Sequence, residues 1–198
     1  MMKEITIEVL SHKLFEERCL ADGLNDNNVD ACDTAFIDII GTDECLKYYL
    51  NEGDTKHYFS QGHDNVMNLE FDDLTTNVLY DGHIFKAMTI FQAEVLLDFI
   101  ERNMNNCNIT KFRICCRAGI SRSRAVGEFI YRYCVDNGIL VNYNEREQYV
   151  TLYNVYILSL LNNVYWKKYS INGYSVGMDY PEYIRNIPLV KVEKEEEK

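Results

Sequence analysis

Apolar and polar positions change period several times along the chain, and each period suggests an element. Ile5–Leu10 reads as a strand, and Thr34–Gly41 (TAFIDIIG) as a short, β-branched buried strand closed by glycine. Asp43 opens a helix expected to run through Leu50. Residues 51–65 are polar and glycine-bearing, hence loop, and Val66–Phe71 alternates as a strand followed at once by Asp72 and Asp73. Thr89 with Gln92 three residues on has the form of a capping box. Behind it Ile90, Ala93, Leu97, Ile100 and Met104 recur at spacings of three and four, one face of a helix. Phe112–Cys115 is a strand-type run. Ser121–Asn137 is helical, with Val126, Phe129, Ile130 and Tyr133 on one side and Gly138 as its stop. A last helix is expected over 145–166, with Val150, Tyr153, Ile157, Leu160 and Val164 inward. Strands alternating with helices predict an α/β fold, a central mostly parallel sheet flanked by helices.

Composition narrows the class. At 198 residues the chain fits one domain with decorated ends, and 47% apolar with 26% charged residues is a globular balance. The opening residues carry Glu4 and Glu8 without an unbroken apolar core, and no apolar run reaches membrane-spanning length. Without a secretory signal, the odd count of seven cysteines is expected to be reduced thiols in a cytoplasmic setting. The four histidines show no zinc-type spacing and read as surface or turn residues. A net charge of -11 repels nucleic-acid phosphates, so neither a nucleic acid nor a membrane is an expected partner. The run 191–198 (KVEKEEEK) reads as a solvated tail.

One segment departs from this acidic background. Residues 102–127 contain no Asp or Glu but hold Arg102, Lys111, Arg113, Arg117, Arg122 and Arg124, a window able to focus an anionic substrate. Inside it lies Cys116-Arg117-Ala118-Gly119-Ile120-Ser121-Arg122-Ser123, between a predicted strand and a predicted helix. A strand, a glycine-bearing turn and a helix start bring several N–H groups round one point, an anion site. The helix end and nearby guanidinium groups favour the ionised sulfur of Cys116. Arg122 has the planar fork that grips two phosphate oxygens. A sulfur nucleophile beneath a bound phosphate is aimed at phosphorus.

These residues resemble the signature of the cysteine-dependent protein tyrosine phosphatases, Cys-x5-Arg followed by Ser or Thr. Ala-Gly-x-Ser-Arg-Ser is similar to its dual-specificity branch, and the order of elements from about Thr34 to Val164 fits. The resemblance implies a dual-specificity-phosphatase-like catalytic domain over 34–166. Residues 1–33 would be an extension packed on it, and 167–198 a second extension with an acidic tail. It also implies a protein phosphatase working through a phosphocysteine, with Cys116 as nucleophile. Arg122 and the N–H groups of Arg117, Ala118, Gly119, Ile120, Ser121 and Arg122 would hold the phosphate, and Ser123 would assist the departing sulfur. An aspartate would serve as general acid and then as base. No metal and no organic cofactor are implied. The partner would be a phosphorylated protein or small phosphomonoester, and the shallow pockets of the branch admit phosphoserine and phosphothreonine beside phosphotyrosine.

Three aspartates compete for the acid role. Alternation along the strand favours Asp73, with Asp72 and Asp81 as the others. The long interval before Cys116 makes residues 77–88 an insertion, a lid or an ordinary surface loop carrying Tyr80, His83 and Phe85. The family has His before the nucleophile, and here Cys115 stands there. Cys115 is either a small core residue or a trap for oxidised Cys116, although adjacent Cα atoms about 3.8 Å apart sit below the usual disulfide span. Two rival readings are a phosphate-binding module without turnover and, more remotely, sulfur-transfer or arsenate-reducing thiol chemistry.

Overall fold

The computed structural model describes residues 3–42, 56–143, 153–169 and 189–192, the last four by backbone alone. The expected helix at 43–50 and residues 145–152 of the last expected helix lie outside these. The chain opens with β1 (Glu4–Ser11), α1 (His12–Ala21), a single 3-10 turn (Val29–Ala31), β2 (Thr34–Ile40) and β3 (Val66–Glu70). There follow β4 (Asn77–Tyr80), β5 (His83–Phe85), α2 (Ile90–Asn105), β6 (Lys111–Cys116), α3 (Arg122–Asp136), β7 (Leu140–Asn142), α4 (Val155–Tyr169) and β8 (Leu189–Val192).

The protein is α/β. Five strands form one sheet in the order β3-β2-β6-β1-β7, every pair parallel, with helices covering it. An all-parallel sheet needs cover on both faces, and β2 is accordingly buried at all seven positions. Period-two alternation sorts the strands' side chains. Phe112, Ile114 and Cys116 of β6 join Ala35, Ile37 and Ile39 of β2 under α2, α3 and α4. Phe36 and Cys115 face the other way, against Phe15 and Cys19 of α1. Phe112 and Ile114 are fully buried, each contributing about 1.5–3 kcal/mol of transfer free energy. The expected capping box at Thr89 is formed in both directions, and Ala93, Leu97, Ile100 and Met104 of α2 are buried.

The N-terminal segment is built into the sheet: β1 is an inner strand held between β6 and β7. Ile5, Ile7 and Val9 fill one face beneath α3, and α1 closes the other. Residues 77–85 form a hairpin closed by Asp81 and Gly82, both at positive φ, as tight Asp-Gly turns require. Its strand β4 pairs in parallel with β8. Among the described residues, no helix is long and apolar enough to cross a membrane.

Candidate active site

The carboxyl ends of the parallel strands meet at one edge of the sheet. From there β2 leads outward toward β3, while β6 leads the other way toward β7, so adjacent strands send their connections apart. Such a switch point opens a crevice beyond the strand ends. The residues following β1, β2, β3 and β6 (His12, Thr42, Asp72 with Asp73, and the 117–121 loop) all emerge on this edge.

Cys116 ends β6 and is 3% exposed. Its Sγ lies 3.0 Å from Ser123 Oγ in the first turn of α3. Arg122, next in sequence to Ser123, is buried, and its Nη1 donates to the Phe71 carbonyl at 2.8 Å. That anchor leaves the rest of the guanidinium fork for another acceptor. Ser121 stands at the N-cap of α3 but makes no cap bond to the helix; its hydroxyl instead donates to Asp73 Oδ1 at 2.9 Å. The first N–H groups of α3 are therefore not capped by their own serine, unlike those of α1 and α2, which Ser11 and Thr89 cap. Uncapped helix N–H groups are anion donors.

Gly119 explains the loop's path. Its φ is +69°, and a Cβ there would stand 2.5 Å from Leu10 C and 2.6 Å from Ser11 N. Only glycine lets the loop pass over the end of β1 so closely. The Gly119 N–H donates to the Cys116 carbonyl at 3.2 Å, closing the turn, and the His12 N–H donates to the Arg117 carbonyl at 3.4 Å. Arg117, Ala118 and Ile120 are exposed along the rim.

The three aspartates separate cleanly. Asp72 is buried: Oδ1 accepts from the Thr42 N–H at 3.0 Å, and Oδ2 accepts from Thr42 Oγ1 at 2.8 Å and the Lys86 N–H at 2.7 Å. It ties the end of β2 to the base of the β4–β5 hairpin. Asp81 sits in the hairpin turn. Asp73 is exposed and bound to the cysteine loop, accepting on Oδ1 from Ser121 Oγ and from Asn154 Nδ2 at 2.8 Å. Asn154 was missed in the sequence. It caps α4 by accepting from the Ile157 N–H at 3.2 Å, and its own N–H donates to the Ser121 carbonyl. An Asn just before an apolar helical run is a start signal, hidden here because the apolar spacing continues back to 145.

Behind β6 lies a polar cluster that sequence spacing does not disclose. Cys115 Sγ donates to Asp38 Oδ1 at 3.1 Å, and both residues are fully buried. His12 Nε2 lies 3.5 Å from the same oxygen, while His57 Nδ1 lies 3.3 Å from Oδ2. Burial alone would raise the Asp38 carboxyl; the facing imidazoles of His12 and His57 outweigh it and hold the group below the usual carboxylate range. Burial, with the Asp38 charge, pushes the Cys115 thiol well up. His12 is thus an interior group and His57 a half-buried one, not the surface residues expected. Cys115 and Cys116 belong to opposite faces of the sheet. Cys134 is buried, and burial pushes its thiol up to about 12. The geometry therefore offers no support for trapping an oxidised Cys116.

The basic window is likewise divided by alternation. Arg113 faces away from Cys116, paired with Glu8 at 2.7 Å and Asp22 at 2.9 Å. Arg102 donates to the Asp64 carbonyl, before β3 and at the opposite end of the sheet. Arg122 stays at the loop, its guanidinium bonded to the Phe71 carbonyl. No protein-family model, no curated protein and no solved structure matches the chain.

Proposed function

We propose that the protein is a cysteine-dependent phosphatase acting on phosphotyrosine and on phosphoserine or phosphothreonine, with Cys116 as nucleophile. One observation carries the reading. The sulfur at the end of a central strand is met at 3.0 Å by Ser123 on an uncapped helix start, and the same loop binds Asp73. The resemblance of 116–123 to the phosphatase signature points the same way.

In the first step Cys116 Sγ attacks phosphorus, forming the S–P bond as the ester P–O bond breaks. Arg122 holds two equatorial oxygens, and the first N–H groups of α3 meet the charge that grows in the transition state. Asp73 delivers a proton to the departing oxygen. Both observed bonds fall on Oδ1, leaving Oδ2 as the atom that carries it. In the second step a water attacks phosphorus, and the Asp73 carboxylate takes its proton. The P–S bond breaks, with the Ser123 hydroxyl donating to the leaving sulfur. Asp72 binds the strand ends together and takes no part in proton transfer.

The test is hydrolysis of a small aryl phosphate. Turnover that disappears in Cys116→Ser supports the proposal. Phosphopeptide binding without turnover in the wild type selects the competing reading, a binding module, motivated by Cys115 in the place of the family's histidine.

A further inference from the structure

We propose that His12, Asp38 and Cys115 form a buried site for one zinc-type divalent ion, on the face of β6 opposite Cys116. Three donor types arrive from three adjacent parts of the sheet: an imidazole following β1, a carboxylate on β2 and a thiol on β6. Cys115 Sγ and His12 Nε2 lie 3.1 Å and 3.5 Å from Asp38 Oδ1, and the three donor atoms all fall within 4.8 Å of one another. A tetrahedral ion at ordinary bond lengths sets neighbouring ligand atoms roughly 3.3–3.6 Å apart; the two separations from Asp38 Oδ1 lie close to that span, and the three residues supply three of the four ligands, leaving the fourth position to a water. The frame is rigid, because Cys115 is in direct register with Asp38 on one side and Leu10 on the other.

Donor chemistry selects the ion. Imidazole, thiolate and a single carboxylate suit zinc and its neighbours, whereas calcium and magnesium demand oxygen shells. On binding, the Cys115 thiol releases its proton to solvent, and the metal–sulfur bond takes its place. The two charges of the ion then meet one thiolate and one carboxylate, giving a neutral cluster in a dry interior where uncompensated charge is most costly. The second shell is also present. His57 Nδ1 and the Tyr58 N–H lie 3.3 Å and 3.1 Å from Asp38 Oδ2, fixing the carboxylate's orientation. His57 Nε2 in turn lies 3.9 Å from Glu70 Oε1, a partner that orients the imidazole. Cys115 adjoins the nucleophile, and the His12 N–H holds the Arg117 carbonyl. An ion here would therefore brace the β6 end of the loop that carries Cys116, on either side of the nucleophile.

The inference stands apart from the hydrolytic reading, and its test reads metal rather than turnover. Full-length reduced protein, stripped with chelator and freed of thiol reductant, is titrated with Co2+. One equivalent should produce a near-ultraviolet thiolate-to-cobalt band, displaced by one equivalent of Zn2+. The band should vanish in Cys115→Ala and persist in Cys107→Ser and Cys116→Ser. His57→Gln should weaken binding about 10-fold or more. Absence of the band in the wild type, or its survival in Cys115→Ala, overturns the proposal, as does its loss in Cys107→Ser. If Cys115→Ala fails to fold, the isosteric Asp38→Asn decides: loss of the band supports the site and retention overturns it.

Discussion

Asp72 and Asp73 are adjacent and chemically identical, yet their surroundings give them different work. Asp72 has both oxygens engaged in the interior, whereas Asp73 faces solvent with one oxygen bound to Ser121 and Asn154. Asp72→Asn should therefore destabilise the fold by about 1–3 kcal/mol, because a buried acceptor becomes a donor facing other donors. Asp73→Asn should fold normally but lower turnover about 10²- to 10⁴-fold on poor leaving groups, and far less on an activated aryl phosphate. Urea midpoints and kcat on two leaving groups check the pair together. A stable, slow Asp72→Asn beside a fully active Asp73→Asn would exchange their roles. At this scale the order Cys116, Arg122, Ser123 was legible because a short loop fixes what lies near what. The choice among aspartates rested on strand phase. The partners of Cys115 were not legible, because Asp38 and His12 approach it only once β2 and β1 flank β6.

Loops and helix ends carry the next level. Gly119 is required twice, by its positive φ and by the backbone of Leu10 and Ser11 beneath it. Gly119→Ala should cost about 1–3 kcal/mol from left-handed strain alone, with the clash added. Thermal melts should show a lowered Tm and the loss of vanadate stabilisation; an unchanged Tm together with retained vanadate binding would contradict the close approach. A second element-scale contact joins the 25–33 segment to residues 58–65. His63 bonds Asp30 at 2.9 Å and Asp26 at 3.1 Å. The bond to Asp30 raises the imidazole above its ordinary value, against the opposing effect of burial, and Asp26 adds to it. A raised folded value means this stability is complete below about pH 6.5, the unfolded value, and is lost as pH rises through the folded one. The urea midpoint should fall across that window, and His63→Gln should remove that part of the slope; an equal slope in the variant would sink the assignment. The α2 capping box was legible because its signals are local. Helix α1 was not, since His12, Phe15 and Cys19 are the only residues of HKLFEERCLA that are buried, and charges hide so thin a stripe.

At the scale of the molecule, alternating apolar strands and helical stripes announced an α/β sheet, and the five parallel strands agree. Two global features were hidden. The N-terminal strand lies inside the sheet, and strand order cannot be read from local periodicity. The basic window, continuous in sequence, is parted by the pleat and by helix length, so Arg113 and Arg102 serve structure elsewhere. The carboxyl edge carries the Cys116 sulfur, the anchored Arg122 guanidinium, an open helix start and the tethered Asp73 carboxylate. The proposed hydrolysis requires that sulfur to carry the phosphoryl group for part of each cycle. Slowing the second step in Asp73→Asn, adding an activated aryl phosphate, quenching in acid and mapping peptides by mass spectrometry tests this directly. The expected result is one phosphoryl group on the peptide containing Cys116, absent when Arg122→Lys is added. Hydrolysis that survives Cys116→Ser, or turnover with the phosphoryl group on any other residue, would contradict it.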